Sequence, residues 1–152
     1  MDSPAPMTLS LPQAMRDEIV AHSRELAPRE CCGVIVGPPG LPTELHRLTN
    51  LEPGVDRYLV DDNELYALSR ANDERGWDFV AIYHSHPVSV AFPSKTDREL
   101  AFWEDAVYVI CSLEHPDAPV LRAFRIVADA VSEVELVWGV RIPLQLDVHR
   151  GP

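Results

Sequence analysis

The sequence predicts an α/β domain with a mixed central sheet flanked by helices. Three observations carry that reading: two stretches with apolar residues at helical spacing, several short apolar runs that end in turn residues, and a late segment in which apolar and acidic residues alternate. At 152 residues the chain fits one domain with a single core.

Taken in order, Leu11, Met15, Ile19 and Leu26 recur near a helical period and Pro28 stands just beyond them, which predicts a first helix over 11–26. Cys31 to Val36 is a continuous apolar run closed by Gly37-Pro38-Pro39-Gly40, the pattern of a buried strand ending in a turn. A second strand is expected over 45–48. Asp61 with Glu64 three residues later reads as an N-cap and its reciprocal acid, and Leu65, Leu68 and Ala71 keep helical spacing up to Gly76. Trp77 to Tyr83 is apolar on both faces, with Phe79, Ala81 and Tyr83 alternating against Val80 and Ile82, so this strand should be central and covered on both sides. A short helix is expected over 95–103 and strands over 107–111, 120–127 and 131–138. In the last of these, Val134, Leu136 and Trp138 alternate with Glu133 and Glu135, which predicts a half-exposed edge. The expected organisation is a disordered segment over 1–8, one folded unit over 9–140 and a tail over 141–152.

Charge and composition exclude several roles. Thirteen basic against 24 acidic residues give a net charge of −11, which argues against a phosphate-backbone binder, so no nucleic acid is expected as partner. No apolar run approaches the roughly 18–20 residues of a membrane span, so no membrane is expected either. The start, Met-Asp-Ser-Pro-Ala-Pro, has neither the basic nor the apolar part of a secretory signal, and a cytoplasmic location is expected. Three cysteines, two of them the neighbours Cys31 and Cys32, do not make a disulfide framework. With no histidine nearby in sequence, Cys31 and Cys32 read as small buried hydrophobes rather than nucleophiles. His22, His46, His115 and His149 read as structural or surface residues, and Trp103 and Trp138 as core.

The densest polar cluster is His84-Ser85-His86-Pro87, where the apolar central strand ends. Residues two apart on a strand share a face, so both imidazoles can converge on one point, and Pro87 keeps His86 extended. Two imidazoles set among apolar neighbours without a ligand leave costly unsatisfied groups, which favours a metal over a structural role. Downstream, Ser94 and Asp97 have the spacing of a capping box that would start the third helix. The same box can aim the Asp97 carboxylate at the histidines. His84, His86 and Asp97 then form a two-histidine, one-carboxylate set, used for zinc in hydrolases and for iron(II) in oxygenases. A hydrolase also needs a carboxylate base outside the ligand set, and Glu30, at the mouth of the 31–36 strand, is the candidate.

Glu30, then His84-Ser85-His86-Pro87, then after six intervening residues Ser94-x-x-Asp97, resembles the JAMM or MPN-plus metalloproteases, in particular small stand-alone bacterial members. The resemblance implies a single MPN-like domain, of the cytidine-deaminase-like class of α/β folds. It implies that His84, His86 and Asp97 ligate zinc with water as fourth ligand, that Glu30 acts as general base and then acid, and that Ser94 stabilises the developing oxyanion. It further implies hydrolysis of amide bonds at the C-terminus of a ubiquitin-like protein whose Gly-Gly tail pairs with the sheet edge. The small size favours a bacterial sulfur-carrier protein as substrate. The competing expectations are a non-catalytic MPN-type scaffold and, on the same three ligands, an iron(II) oxygenase.

Overall fold

A computed structural model of the chain describes residues 8–139. The expected loose segment and the tail, with His149, lie outside those residues, apart from Thr8. That residue is not loose: it opens a strand, β1 (Thr8–Leu11), ahead of the first helix α1 (Gln13–Leu26). The helix starts two residues later than its apolar spacing suggests, because Leu11 belongs to the strand and Pro12, with φ −61° and ψ 145°, is the N-cap. The strands β2 (Cys32–Gly37) and β3 (Glu44–Leu48), the helix α2 (Asp62–Arg75) and the strand β4 (Asp78–His86) follow. The short helix α3 (Lys95–Glu99) and the strands β5 (Val107–Ser112), β6 (Val120–Val127) and β7 (Ala130–Trp138) complete the described chain.

The seven strands form one mixed sheet in the order β1-β7-β6-β5-β4-β2-β3. The β1–β7 and β4–β5 pairs are parallel and the other neighbours antiparallel. One face carries α1, whose Met15, Ile19 and Val20 pack with Ile35, Ala81, Tyr83 and Val109. The other face buries Val34, Ile82, Ile110 and Phe124 under Leu65 and Leu68 of α2. Burial on both faces is what the apolar run of β4 demands, and from Val80 to His86 every residue of that strand is buried.

Four details depart from the sequence reading, each for a local reason. The last strand, β7, is not an edge: β1 pairs along it from Thr8 opposite Glu135 to Leu11 opposite Trp138. Its alternation records one solvated face, not a free edge. In β4 the register shifts so that Ile35 and Val36 of β2 face Ala81 and Phe79, leaving Val80 as a bulge. Val80 therefore joins Ala81 and Tyr83 on the α1 face, while Phe79 packs with Ile82 on the other. The α2 cap is Asp61, which accepts from the Asn63 N–H at 2.9 Å, but Glu64 does not reach back to it. Glu64 instead accepts from the backbone N–H and the hydroxyl of Thr49, both at 2.7 Å, tying α2 to the end of β3. Finally, α3 ends at Glu99 rather than 103, because the Ala101 N–H turns to the Arg98 carbonyl at 3.4 Å. That turn lets the Trp103 ring meet Phe79 edge-on at 5.6 Å.

Candidate metal centre

His84 and His86 lie on β4 itself, which runs three residues further than predicted because β5 pairs alongside it as far as Ser112. His84 is level with Cys32 of β2 and Ile110 of β5, and His86 with Ser112. Both side chains project toward the α2 and α3 face, with ring centroids 5.0 Å apart. The carboxylate comes from α3, where the Ser94 Oγ accepts the Asp97 N–H at 3.0 Å and the Asp97 Oδ2 accepts the Ser94 N–H at 2.9 Å. The capping box and the ligand reading thus hold together: the cap fixes the first turn and aims the same carboxylate at the histidines.

The three side chains converge. The Nε2 atoms of His84 and His86 are 3.2 Å apart and lie 3.1 and 3.0 Å from Asp97 Oδ2. All three residues are buried. Ligands held about 2.0–2.1 Å from a tetrahedral ion are themselves about 3.3 Å apart, so the nitrogen, nitrogen and oxygen set has the size of such a site. The His86 Nδ1–H donates to the Val90 carbonyl at 2.7 Å, which sets the tautomer and leaves the Nε2 lone pair facing His84 and Asp97. The loop carrying that carbonyl is in turn held by the Ser112 hydroxyl, which donates to the Ser89 carbonyl at 2.6 Å. Burial pulls the His86 ring down, but Asp97 and the Val90 carbonyl outweigh it and leave its pKa raised. Burial pushes the Asp97 carboxyl up, yet the two imidazoles and the Ser94 N–H hold it far below the usual carboxylate range.

Glu30 precedes β2 on the same side. The Ser85 N–H donates to the Cys31 carbonyl at 3.2 Å and the Cys31 N–H donates to the Ser85 hydroxyl at 2.8 Å. One residue further along this antiparallel ladder, Glu30 comes level with His86. It is 4% exposed, and its Oε1 is a buried oxygen with no partner among the described residues. Burial pushes its carboxyl up to about 7; His86 opposes this, and Asp97 and Asp56 add to it. A carboxyl poised near neutrality can take a proton from water and return it.

The remaining candidates stay outside this cluster. His22 is buried on the opposite face, its Nδ1 2.7 Å from the Tyr83 hydroxyl, and burial, with a contribution from Arg47, lowers it to about 4. His46 pairs with Glu44 at 2.9 Å, and His115 is exposed in a turn. Burial raises the Cys31 and Cys32 thiols to about 11 and 12, so neither is a thiolate at neutral pH. Sequence reasoning passed over Tyr58, whose ring stacks on His84 with centroids 4.7 Å apart, and Asn50, which bonds to the Glu30 carbonyl. Neither belongs to a local motif, so no signal near them in the chain would have found them.

A family model described as prokaryotic homologs of the JAB domain matches residues 12–127, which include every one of these side chains. The chain belongs to the JAB/MPN family. Among its relatives there is a protein of Mycobacterium tuberculosis named CysO-cysteine peptidase, 41% identical over 117 residues, which are 76% of this chain and 80% of that protein. A second, of Haloferax volcanii, is named desampylase and is 43% identical over 112 residues, 68% of this chain and 80% of that one. In fold the chain is similar to a JAB1/MPN domain protein from Archaeoglobus fulgidus, with a TM-score of 0.56 at 16% identity over 85% of this chain and 98% of that one.

Proposed function

We propose that this JAB/MPN protein is a zinc-dependent peptidase or isopeptidase that hydrolyses amide bonds at the C-terminus of a ubiquitin-like sulfur-carrier protein. The observation that carries this is the convergence of His84, His86 and Asp97 with the buried Glu30 carboxyl beside them, whose Oε1 has no partner among the described residues. The names of the relatives point to the same kind of substrate, and an extended tail such as Gly-Gly can pair with a sheet edge as an added strand.

His84, His86 and Asp97 would hold the ion. Zinc there would supply Lewis-acid polarisation of the scissile carbonyl and would acidify water. Glu30 takes the proton from the attacking water and delivers it to the departing nitrogen, so that one carboxyl serves as base and then acid. The Ser94 Oγ already accepts the Asp97 N–H, which leaves its own O–H proton free to donate to the oxygen that becomes negative. Burial of the cluster excludes bulk water and strengthens each of these interactions.

The scaffold reading is disfavoured by the completeness of the set, since no ligand position is substituted and the base is present. The iron(II) oxygenase reading has no use for a buried carboxyl outside the ligand set. Metal analysis of the purified protein separates all three: zinc is expected at one per chain, whereas iron or no metal overturns the proposal. Activity is tested by incubating the protein with carrier proteins bearing a C-terminal extension and weighing the released fragment. Glu30→Gln is expected to keep zinc and lose hydrolysis, and His86→Ala to lose both; near-normal turnover in Glu30→Gln would remove Glu30 from the mechanism.

A further inference from the structure

Asn50 lies between Glu30 and the 51–59 loop and is 6% exposed. Its Nδ2 donates to the Glu30 carbonyl at 2.8 Å, while its Oδ1 accepts the backbone N–H groups of both Glu52 and Leu59 at 2.9 Å. The Leu51 N–H donates to the Leu59 carbonyl at 2.8 Å and closes the neck of the loop. Arg29, next to Glu30, adds donations to the carbonyls of Asn50 and Glu52 at 2.8 and 2.6 Å. From the same loop, Tyr58 stacks on His84. A single amide therefore connects the backbone of the proposed base to the loop that covers a proposed metal ligand. Only a side chain with a donor and an acceptor on one planar group does both at once.

We infer that Asn50 is a positioning residue for the reaction: it ties Glu30 to the loop over His84, so that base and metal ligand are held in one frame. The inference rests on Glu30 being the base. A carboxyl displaced by about 1 Å from its reacting atom can lose on the order of 100-fold in rate, so a bond that fixes its backbone carries catalytic weight without touching the substrate.

Two substitutions in the full-length, zinc-loaded protein separate the arms of this bridge. Asn50→Asp keeps an oxygen for the two loop N–H groups and loses the donor to the Glu30 carbonyl; Asn50→Ala loses both. Bound zinc, kcat, KM on an extended carrier, and tryptic cleavage after Arg57 in the loop are measured for each. Both variants should bind zinc like the native protein, with kcat reduced roughly 10- to 100-fold and KM little changed. Cleavage after Arg57 should accelerate in Asn50→Ala and not in Asn50→Asp. Native kcat in Asn50→Asp, a loss confined to KM, or loss of zinc overturns the inference, and Asn50→Asp decides it alone if Asn50→Ala does not fold. Glu30→Gln assayed alongside keeps the two ideas apart. An active Glu30→Gln sinks the base and this inference with it, whereas an inactive Glu30→Gln beside a fully active Asn50→Asp sinks the inference alone.

Discussion

Glu30 shows how burial gives a single residue an environment that its immediate neighbours in the chain do not announce. As one of 24 acids it has no distinguishing local pattern, yet its Oε1 is buried with no partner among the described residues, and burial raises its carboxyl from 4.5 to about 7. The sign of the consequence follows from proton binding. In the metal-free protein the unfolded chain releases this proton near 4.5 while the folded chain keeps it to about 7, so between those values the folded state binds more protons and stability falls as pH rises. Glu30→Gln removes the penalty. In chelator, the variant should be more stable than the native chain by about 3 kcal/mol at pH 8 and indistinguishable at pH 4. Denaturant melts of both proteins at the two pH values measure this; an equal difference at both would show that Glu30 titrates normally. His84, His86 and Asp97 were legible at this scale, because alternation along a strand and the spacing of a capping box are properties of a few adjacent residues. Asn50 and Tyr58 were not, since what they do depends on partners 20 and 26 residues away.

Among the elements, α3 does the most with the least. Its five residues bury Asp97, and its cap and its proposed ligand share one carboxylate oxygen, which accepts the Ser94 N–H and faces both imidazoles. Ser94→Ala should therefore act twice. Loss of the cap costs about 1 kcal/mol of stability, and loosening of the Asp97 carboxylate should weaken metal affinity about 10- to 100-fold. Thermal melting with and without zinc, with competition against a chromogenic chelator, measures both; unchanged zinc affinity would mean that the first turn holds Asp97 without its cap. The elements themselves were mostly legible. The helices α1 and α2 and the strands β2 to β7 follow from periodicity, with errors confined to ends and neighbours. The missed strand β1 has only four residues, too few for a period, and it exists because β7 offers a partner for Leu9 and Leu11 to be buried against. The bulge at Val80 is equally silent, because register is a property of two strands together.

For the whole molecule, the sheet brings residues from three separated segments to one end of β4, and a metal ion there would join β4 to α3 across the face that α2 also covers. Because the unfolded chain has no such site, zinc should raise the melting temperature of the chelator-stripped protein, and His84→Ala should abolish the rise. An equal rise in His84→Ala would place the stabilising ion elsewhere. No helix among the described residues is long and apolar enough to cross a membrane. The sequence by itself determined the α/β class, the order of most elements and three convergent candidate ligands, because these rest on short-range periodicity and on spacing within one strand or one helical turn. Only the tertiary structure decided how deeply Glu30 is buried beside them, which face of β4 they occupy, that β7 is covered, and that Asn50 joins Glu30 to the 51–59 loop. Those are facts of register and burial, set by the packing of segments distant along the chain, and local spacing does not encode them.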